Sequence, residues 1–363
     1  MSNRLERLLQ SRPYLLADGA TGTNLFDMGL MTGDAPELWN FEQPERIATL
    51  HRNMIAAGAD IILTNSFGGT RYRLKLHKAE DRVREINEAA ARIARRVADD
   101  EGARLGREIL VAGSMGPTGE LFEPLGPLTV EDGIVAFAEQ AEGLAAGGVD
   151  LLWVETMSSK DELQAAVEGA GRTGLKVTCT MSFDTNGRTM MGVTPAEAAT
   201  FCHHLHPHPF AYGANCGVGA AELVAALVNL SKGAEPGDVL VAKGNCGVPY
   251  YVDGKIRYDG TPPLMAAYAR MARDAGARII GGCCGTSPAH LAAIRGALDG
   301  YQPGAKPDIA AIIARLGKTS AGAAQLCAVH GQAAHGVPSD EGEAADAGRR
   351  RGRRRRSGEG AAA

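Results

Sequence analysis

The chain has 363 residues, 45% of them hydrophobic, with 47 glycines, seven cysteines and a formal charge of −4. That length buries a large core, no apolar run is long enough to span a membrane, and the first residues lack the apolar stretch of a signal peptide, so a cytoplasmic protein without a membrane partner is expected. An odd number of cysteines in so long a chain excludes a disulfide scaffold, and the acidic balance of residues 1–317 argues against nucleic acid as their partner.

Short β-branched or apolar runs alternate with longer Ala-rich amphipathic stretches. The runs at 14–17, 61–64, 109–112, 151–155, 176–181, 211–215, 239–242 and 278–281 predict strands. The stretches at 44–57, 79–99, 129–146, 160–171, 195–204, 220–230, 263–275 and 288–298 predict helices. Pro, Ser or Thr opens several of them, and glycine follows the end of three. Strict alternation of eight strands with eight helices predicts a (β/α)8 TIM barrel over residues 1–317. A doubly wound open sheet fits less well, since no G-x-G-x-x-G follows the first strand. Residues 318–363 are rich in Gly, Ala, Pro and charge without apolar periodicity, and read as a disordered tail. Eight basic residues face five acidic ones there. Its arginine run, Arg349 to Arg356, is the one place where RNA or an acidic surface would find a partner.

The active face of such a barrel lies at the C-terminal ends of its strands. Asp18 and Gly19 follow the first predicted strand, Asn65 the second and Ser114 the third. Glu155 ends the fourth, Cys216 the sixth, and Cys283-Cys284 the eighth. Neighbouring side chains of a regular strand point to opposite faces. The vicinal pair therefore converges only where the chain leaves strand geometry, for which Gly281, Gly282 and Gly285 are expected to give the freedom. Cys179 and Cys202, by contrast, read as small buried hydrophobes. A disulfide between adjacent cysteines would need a strained ring.

Cys216, Cys283 and Cys284 are thus candidate ligands for one Zn2+ with an open fourth position, the pattern of a catalytic site. Zinc held by three thiolates is a weak Lewis acid, poorly suited to making hydroxide but able to deprotonate an incoming thiol, whose ordinary pKa is about 8.5. Alkyl transfer to a thiol follows as the expected chemistry. Asp18 and Glu155 suit the ammonium group of an amino-acid thiol. Gly19, Asn65 and Ser114 complete the expected substrate pocket.

These residues resemble the zinc-dependent homocysteine S-methyltransferases over roughly residues 12–300. Asp18-Gly19-Ala20-Thr21-Gly22-Thr23, Thr64-Asn65-Ser66-Phe67, Gly113-Ser114-Met115-Gly116-Pro117, Glu155-Thr156, Gly213-Ala214-Asn215-Cys216 and Gly281-Gly282-Cys283-Cys284-Gly285 carry the resemblance. It implies a (β/α)8 barrel, zinc on the three cysteines, and homocysteine contacted by Asp18 and Glu155. Within the family, residues 25–30 and 33–40 look most like bacterial betaine–homocysteine methyltransferases. Glycine betaine is accordingly the expected donor, with S-methylmethionine, a dimethylsulfonio compound or a methyl-corrinoid protein as alternatives. A quaternary ammonium donor calls for aromatic faces. Trp39 and Phe67, with Phe122, Tyr250 and Tyr251, are the candidates. The 363 residues hold no folate or cobalamin module, which favours a small donor, and a homo-oligomer is expected.

Overall fold

The computed structural model of the chain describes residues 3–252 and 255–328. Eight parallel strands form the predicted barrel: β1 (Leu15–Leu16), β2 (Ile61–Leu63), β3 (Leu110–Met115), β4 (Leu151–Met157), β5 (Lys176–Met181), β6 (Ala211–Cys216), β7 (Leu240–Gly244) and β10 (Ala277–Gly282). An antiparallel ribbon of β8 (Tyr250–Val252) and β9 (Lys255–Arg257) is inserted after β7. The ladder runs from β1 through β10 and back to β2, and an Ala17–Ile61 bridge closes the circle. Helices separate the strands, as the alternation required, and none of those described is long and apolar enough to cross a membrane.

Strand alternation divides the core in two. Leu15, Ala17, Ile61, Leu63, Leu110, Ala112, Leu151, Trp153, Val241 and Ile279 fill the barrel interior. Their neighbours Leu16, Ile62, Val111, Leu152, Val154, Ala242 and Ile280 pack outward under the helices. Carried upward by two residues, the inward register reaches Asn65, Ser114, Glu155, Lys243 and, past Gly281, Cys283. The N-terminal helix Arg4–Ser11, not among the predicted helices although Asn3 and Glu6 stand at capping-box spacing, closes the bottom with Leu5, Leu8 and Leu9. Its cap is a reciprocal pair in which Asn3 accepts from the Leu5 N–H and Glu6 from the Asn3 N–H.

The β1–β2 seam has one bridge where other neighbours have a ladder, and buried Asp60 reinforces it. Its carboxylate accepts the Leu16 N–H at 2.9 Å and pairs with Arg12, Arg107 and Arg295 at 2.8, 3.1 and 2.6 Å. The expected boundary after residue 317 shifts. Ala321–Ala328 is a helix whose Ala323 and Cys327 are buried. Lys232 and Asn229 donate to its last carbonyls, with Lys232 Nζ 2.8 Å from both Leu326 O and Cys327 O. Only two of its eight residues, Ala323 and Cys327, are buried, so it carries little apolar periodicity. The arginine run lies outside the described residues.

Removing the Asp60 carboxylate strands three guanidinium groups at the seam. Asp60→Ala is expected to lower unfolding stability by about 3–5 kcal/mol, read as a shift in the urea midpoint with an unchanged slope.

Candidate metal and substrate site

The three cysteines meet at the C-terminal rim. Their sulfurs all lie within 4.8 Å of one another, with Cys216 Sγ 3.9 Å from Cys284 Sγ. Each arrives differently. Cys283 continues the inward register of β10. Cys284 follows in a turn that the Thr286 N–H closes on Cys283 O at 3.1 Å. Cys216 lies off the inward register of β6 and reaches the cluster by a left-handed backbone, φ +62°. Such a conformation is uncommon for a residue with a Cβ and gathers at functional sites. Thr156 of β4 shares it, at φ +64°. Asn215 clamps the two segments, donating to Thr156 Oγ1 at 2.7 Å and accepting from the Thr156 N–H at 2.9 Å.

The glycines around the pair act in two ways, of which only the first is the expected conformational freedom. Gly285 does adopt a positive φ, +78°. Gly282 is needed for space: a Cβ there would stand 2.2 Å from the Thr286 side chain. Asn245 binds the cluster from β7, with Nδ2 3.5 Å from Cys216 Sγ and Oδ1 accepting the Cys284 N–H at 2.9 Å. Cys246 points away. It is buried, with its sulfur 3.5 Å from Thr286 Oγ1. Cys179 and Cys202 are buried side by side in the helix layer, in keeping with small hydrophobes.

Without a cation the three thiols compete for one negative charge. Hydrogen bonds from Cys283 and Cys284 pull Cys216 far below the ordinary thiol range, and its charge pushes both partners up. Soft sulfur donors so placed fit a zinc-type ion, which alone would let all three ionise. These residues thus pass the chemical test for the metal that the resemblance implies.

A cavity of about 390 Å3 opens beside the sulfurs. Gly19, Asn65, Phe67, Ser114 and Glu155 line it. Glu155 accepts from Ser114 Oγ, and burial raises its pKa to about 7, against the opposing pull of Lys243. Asn65 also ties down the preceding loop through Pro36 O and Asn40. Asp18 is not on the wall. Fully buried beneath it, Asp18 accepts the Leu63 N–H at 2.7 Å and pairs with Lys243 at 2.9 Å. Its pKa is raised by burial, with Lys243 opposing.

Trp39 does not reach the cavity. It sits in the core of a short helical turn, with Arg46 over its ring at 5.2 Å. Phe122 lines a separate cavity beside the loop after β3, and Tyr250 is exposed on the ribbon. The side chain of Tyr251 lies outside the described residues. Residues that the sequence did not single out also stand at the cavity. Lys243 brings a buried ammonium, held 5.3 Å from the Trp153 ring. Tyr258 lies over Gly285, where a Cβ would meet its ring at 2.4 Å, and its hydroxyl lies beside Thr23 and Cys284. Phe26 and Phe67 are half-exposed at the mouth, with Glu37, Arg73 and His77. A lysine ending an otherwise apolar strand was a legible signal for Lys243. No local signal marked Tyr258.

A closed parallel barrel with a thiol cluster beside a cavity at its C-terminal rim is an architecture that could hold a metal ion next to a substrate. The sequence profile of the homocysteine S-methyltransferase family matches residues 15–298, and the chain belongs to that family. Methionine synthase of Mycobacterium tuberculosis is 33% identical over 302 residues, covering 79% of this chain, and that of Mycobacterium leprae is 32% identical over 317, covering 84%. The chain spans about a quarter of the length of these relatives (25% and 26%). Among solved structures, the metallated form of the homocysteine methyltransferase MmuM from Escherichia coli matches with a TM-score of 0.68 and 26% identity, over 81% of this chain and 99% of that one.

Glu155 gives a pH test. The unfolded chain releases this proton near 4.5, whereas the folded, metal-free protein keeps it to about 7. A raised carboxyl pKa makes the folded state the better proton binder between these values, so stability falls as pH rises through the window. Thermal unfolding of metal-free protein from pH 5 to 8 should show this fall, and Glu155→Gln should flatten it.

Proposed function

We propose that this chain transfers a methyl group from a small onium donor to the sulfur of homocysteine, with zinc on Cys216, Cys283 and Cys284 and glycine betaine as donor. The observation that carries this reading is the convergence of three sulfurs and Glu155 on one cavity. When bound, zinc would lower the pKa of the substrate thiol and keep its sulfur nucleophilic. Glu155 receives the substrate ammonium, which draws its carboxyl back to the ionised form. Asp18 acts from beneath by holding Lys243, so that the carboxylates face one fixed positive charge. Backbone amides of the Gly19–Thr23 loop suit the substrate carboxylate.

The mouth suits the donor. Phe26 and Phe67 present aromatic faces to a methyl-onium group. The Arg73 guanidinium lines the same cavity, within electrostatic reach of Glu37, and suits a donor carboxylate. Transfer neutralises an anion against a cation, so exclusion of water favours the dispersed transition state. Identity with the mycobacterial methionine synthases supports a second reading, a methyl group delivered on a larger carrier.

Methionine formation from homocysteine, assayed separately with glycine betaine, S-methylmethionine, dimethylsulfonioacetate and methylcobalamin, decides among donors. Betaine is expected to turn over. Turnover of another compound alone removes betaine and keeps the sulfur chemistry; no methionine from any of the four overturns the small-donor reading. Cys283→Ala should lose bound zinc and more than about 100-fold in turnover, beyond the usual effect of a supporting residue. Full metal content and rate in that variant would refute the ligand assignment.

Arg73→Ala should raise KM for the carboxylate-bearing donor by about 10-fold or more, as loss of a charge-assisted hydrogen bond requires. KM for homocysteine should not change. An unchanged donor KM would remove Arg73 from the donor site.

A further inference from the structure

A second set of metal-type ligands converges at the other end of β6 from Cys216, beside the Tyr212 hydroxyl. His203 caps the helix Pro195–Cys202, and His208 lies in the connection to β6. Asp238 lies two residues before the start of β7. His203 Nε2 stands 3.0 Å from Asp238 Oδ2. The His208 ring lies parallel to that of His203, centroids 5.8 Å apart. One ligand atom from each of the three lies within 4.8 Å of the others. The side chains of His203 and Asp238 are each only 14% exposed, while His208 stands at the surface.

We propose that His203, His208 and Asp238 form a second divalent-cation site, for an ion of the zinc or cobalt type. Two imidazoles and a carboxylate select such borderline ions over magnesium or calcium, which take oxygen. The 3.0 Å separation is close to the roughly 3.3 Å edge of a tetrahedron with bonds of about 2.0–2.1 Å. The surroundings also suit ligation. The Tyr212 hydroxyl and the Glu235 N–H both donate to Asp238 Oδ2 and fix that carboxylate. On the far side of the His203 ring, Glu235 Oε1 stands 3.7 Å from Nδ1. A carboxylate there favours the proton on Nδ1 and leaves the Nε2 lone pair for an ion, the usual outer partner of a metal-bound histidine.

This site is structural. It joins the β5–β6 connection to the start of β7, and so fastens both flanks of the strand that carries Cys216. Exposed His208 is the entry path, and the ion is exchangeable.

Cobalt titration of the full chain, stripped of metal with a chelator, tests the proposal. The native sequence should bind two equivalents of Co2+, of which one brings sulfur-to-cobalt charge-transfer absorption and one does not. His208→Ala and His203→Ala should each lose the second equivalent while keeping the charge-transfer band and homocysteine methylation. His208→Ala, a surface change, stays informative if His203→Ala fails to fold. Cys283→Ala should show the reverse, keeping the band-free equivalent. A single equivalent in the native sequence overturns the site. So does a second equivalent that survives His203→Ala/His208→Ala.

Discussion

Three thiols within 4.8 Å of one another cannot all ionise unless a cation sits among them. That constraint organises the rim. In its absence the hydrogen bonds among them pull the pKa of Cys216 down and push those of Cys283 and Cys284 up. Asn245 supports this arrangement by donating toward the Cys216 sulfur while holding the Cys284 backbone. The same crowding of negative charge explains the buried lysine. Lys243 stands between Asp18 and Glu155, and its pKa stays raised because those carboxylates outweigh its burial. The pocket is therefore balanced for a visitor that brings positive charge next to Glu155, as an amino-acid ammonium does.

The barrel delivers these groups with little special construction. An inward register that packs Leu110, Leu151 and Val241 in the interior brings Ser114, Glu155 and Lys243 to the rim two to four residues later. Cys283 obeys the same rule. Cys216 does not, and its left-handed backbone is the exception that completes the cluster. Such a conformation costs on the order of 1–3 kcal/mol, with a comparable cost at Thr156. The two Asn215 hydrogen bonds between these segments, each contributing roughly 0.5–1.5 kcal/mol, offset part of it. Strain and clamp sit together at the one place where the strand register alone would turn a ligand away.

Most of the barrel was legible because its signals are local. Fully buried parallel strands read as unbroken apolar runs, and capped amphipathic helices announce their own ends. The strand ends were read too short at β3, β4 and β7, where Ser114, Met157 and Lys243 extend beyond the apolar run. Those extensions hold part of the site, since rim residues are chosen for chemistry and not for β propensity. The helix Ala321–Ala328 escaped notice for a different reason: its partners, Asn229 and Lys232, lie 97 and 94 residues from the carbonyl they bind.

The sequence by itself determined the eightfold alternation, the three sulfurs and the family they mark, since each is a property of residue type and spacing along the chain. Only the tertiary structure decided which way each side chain faces. It sent Trp39 into the core and Asp18 beneath the wall, brought Tyr258 and Lys243 to the cavity, and turned Cys246 from the cluster. Those outcomes depend on register and on one backbone flip at Cys216, and no pattern of residue types encodes a dihedral angle that distant hydrogen bonds hold in place.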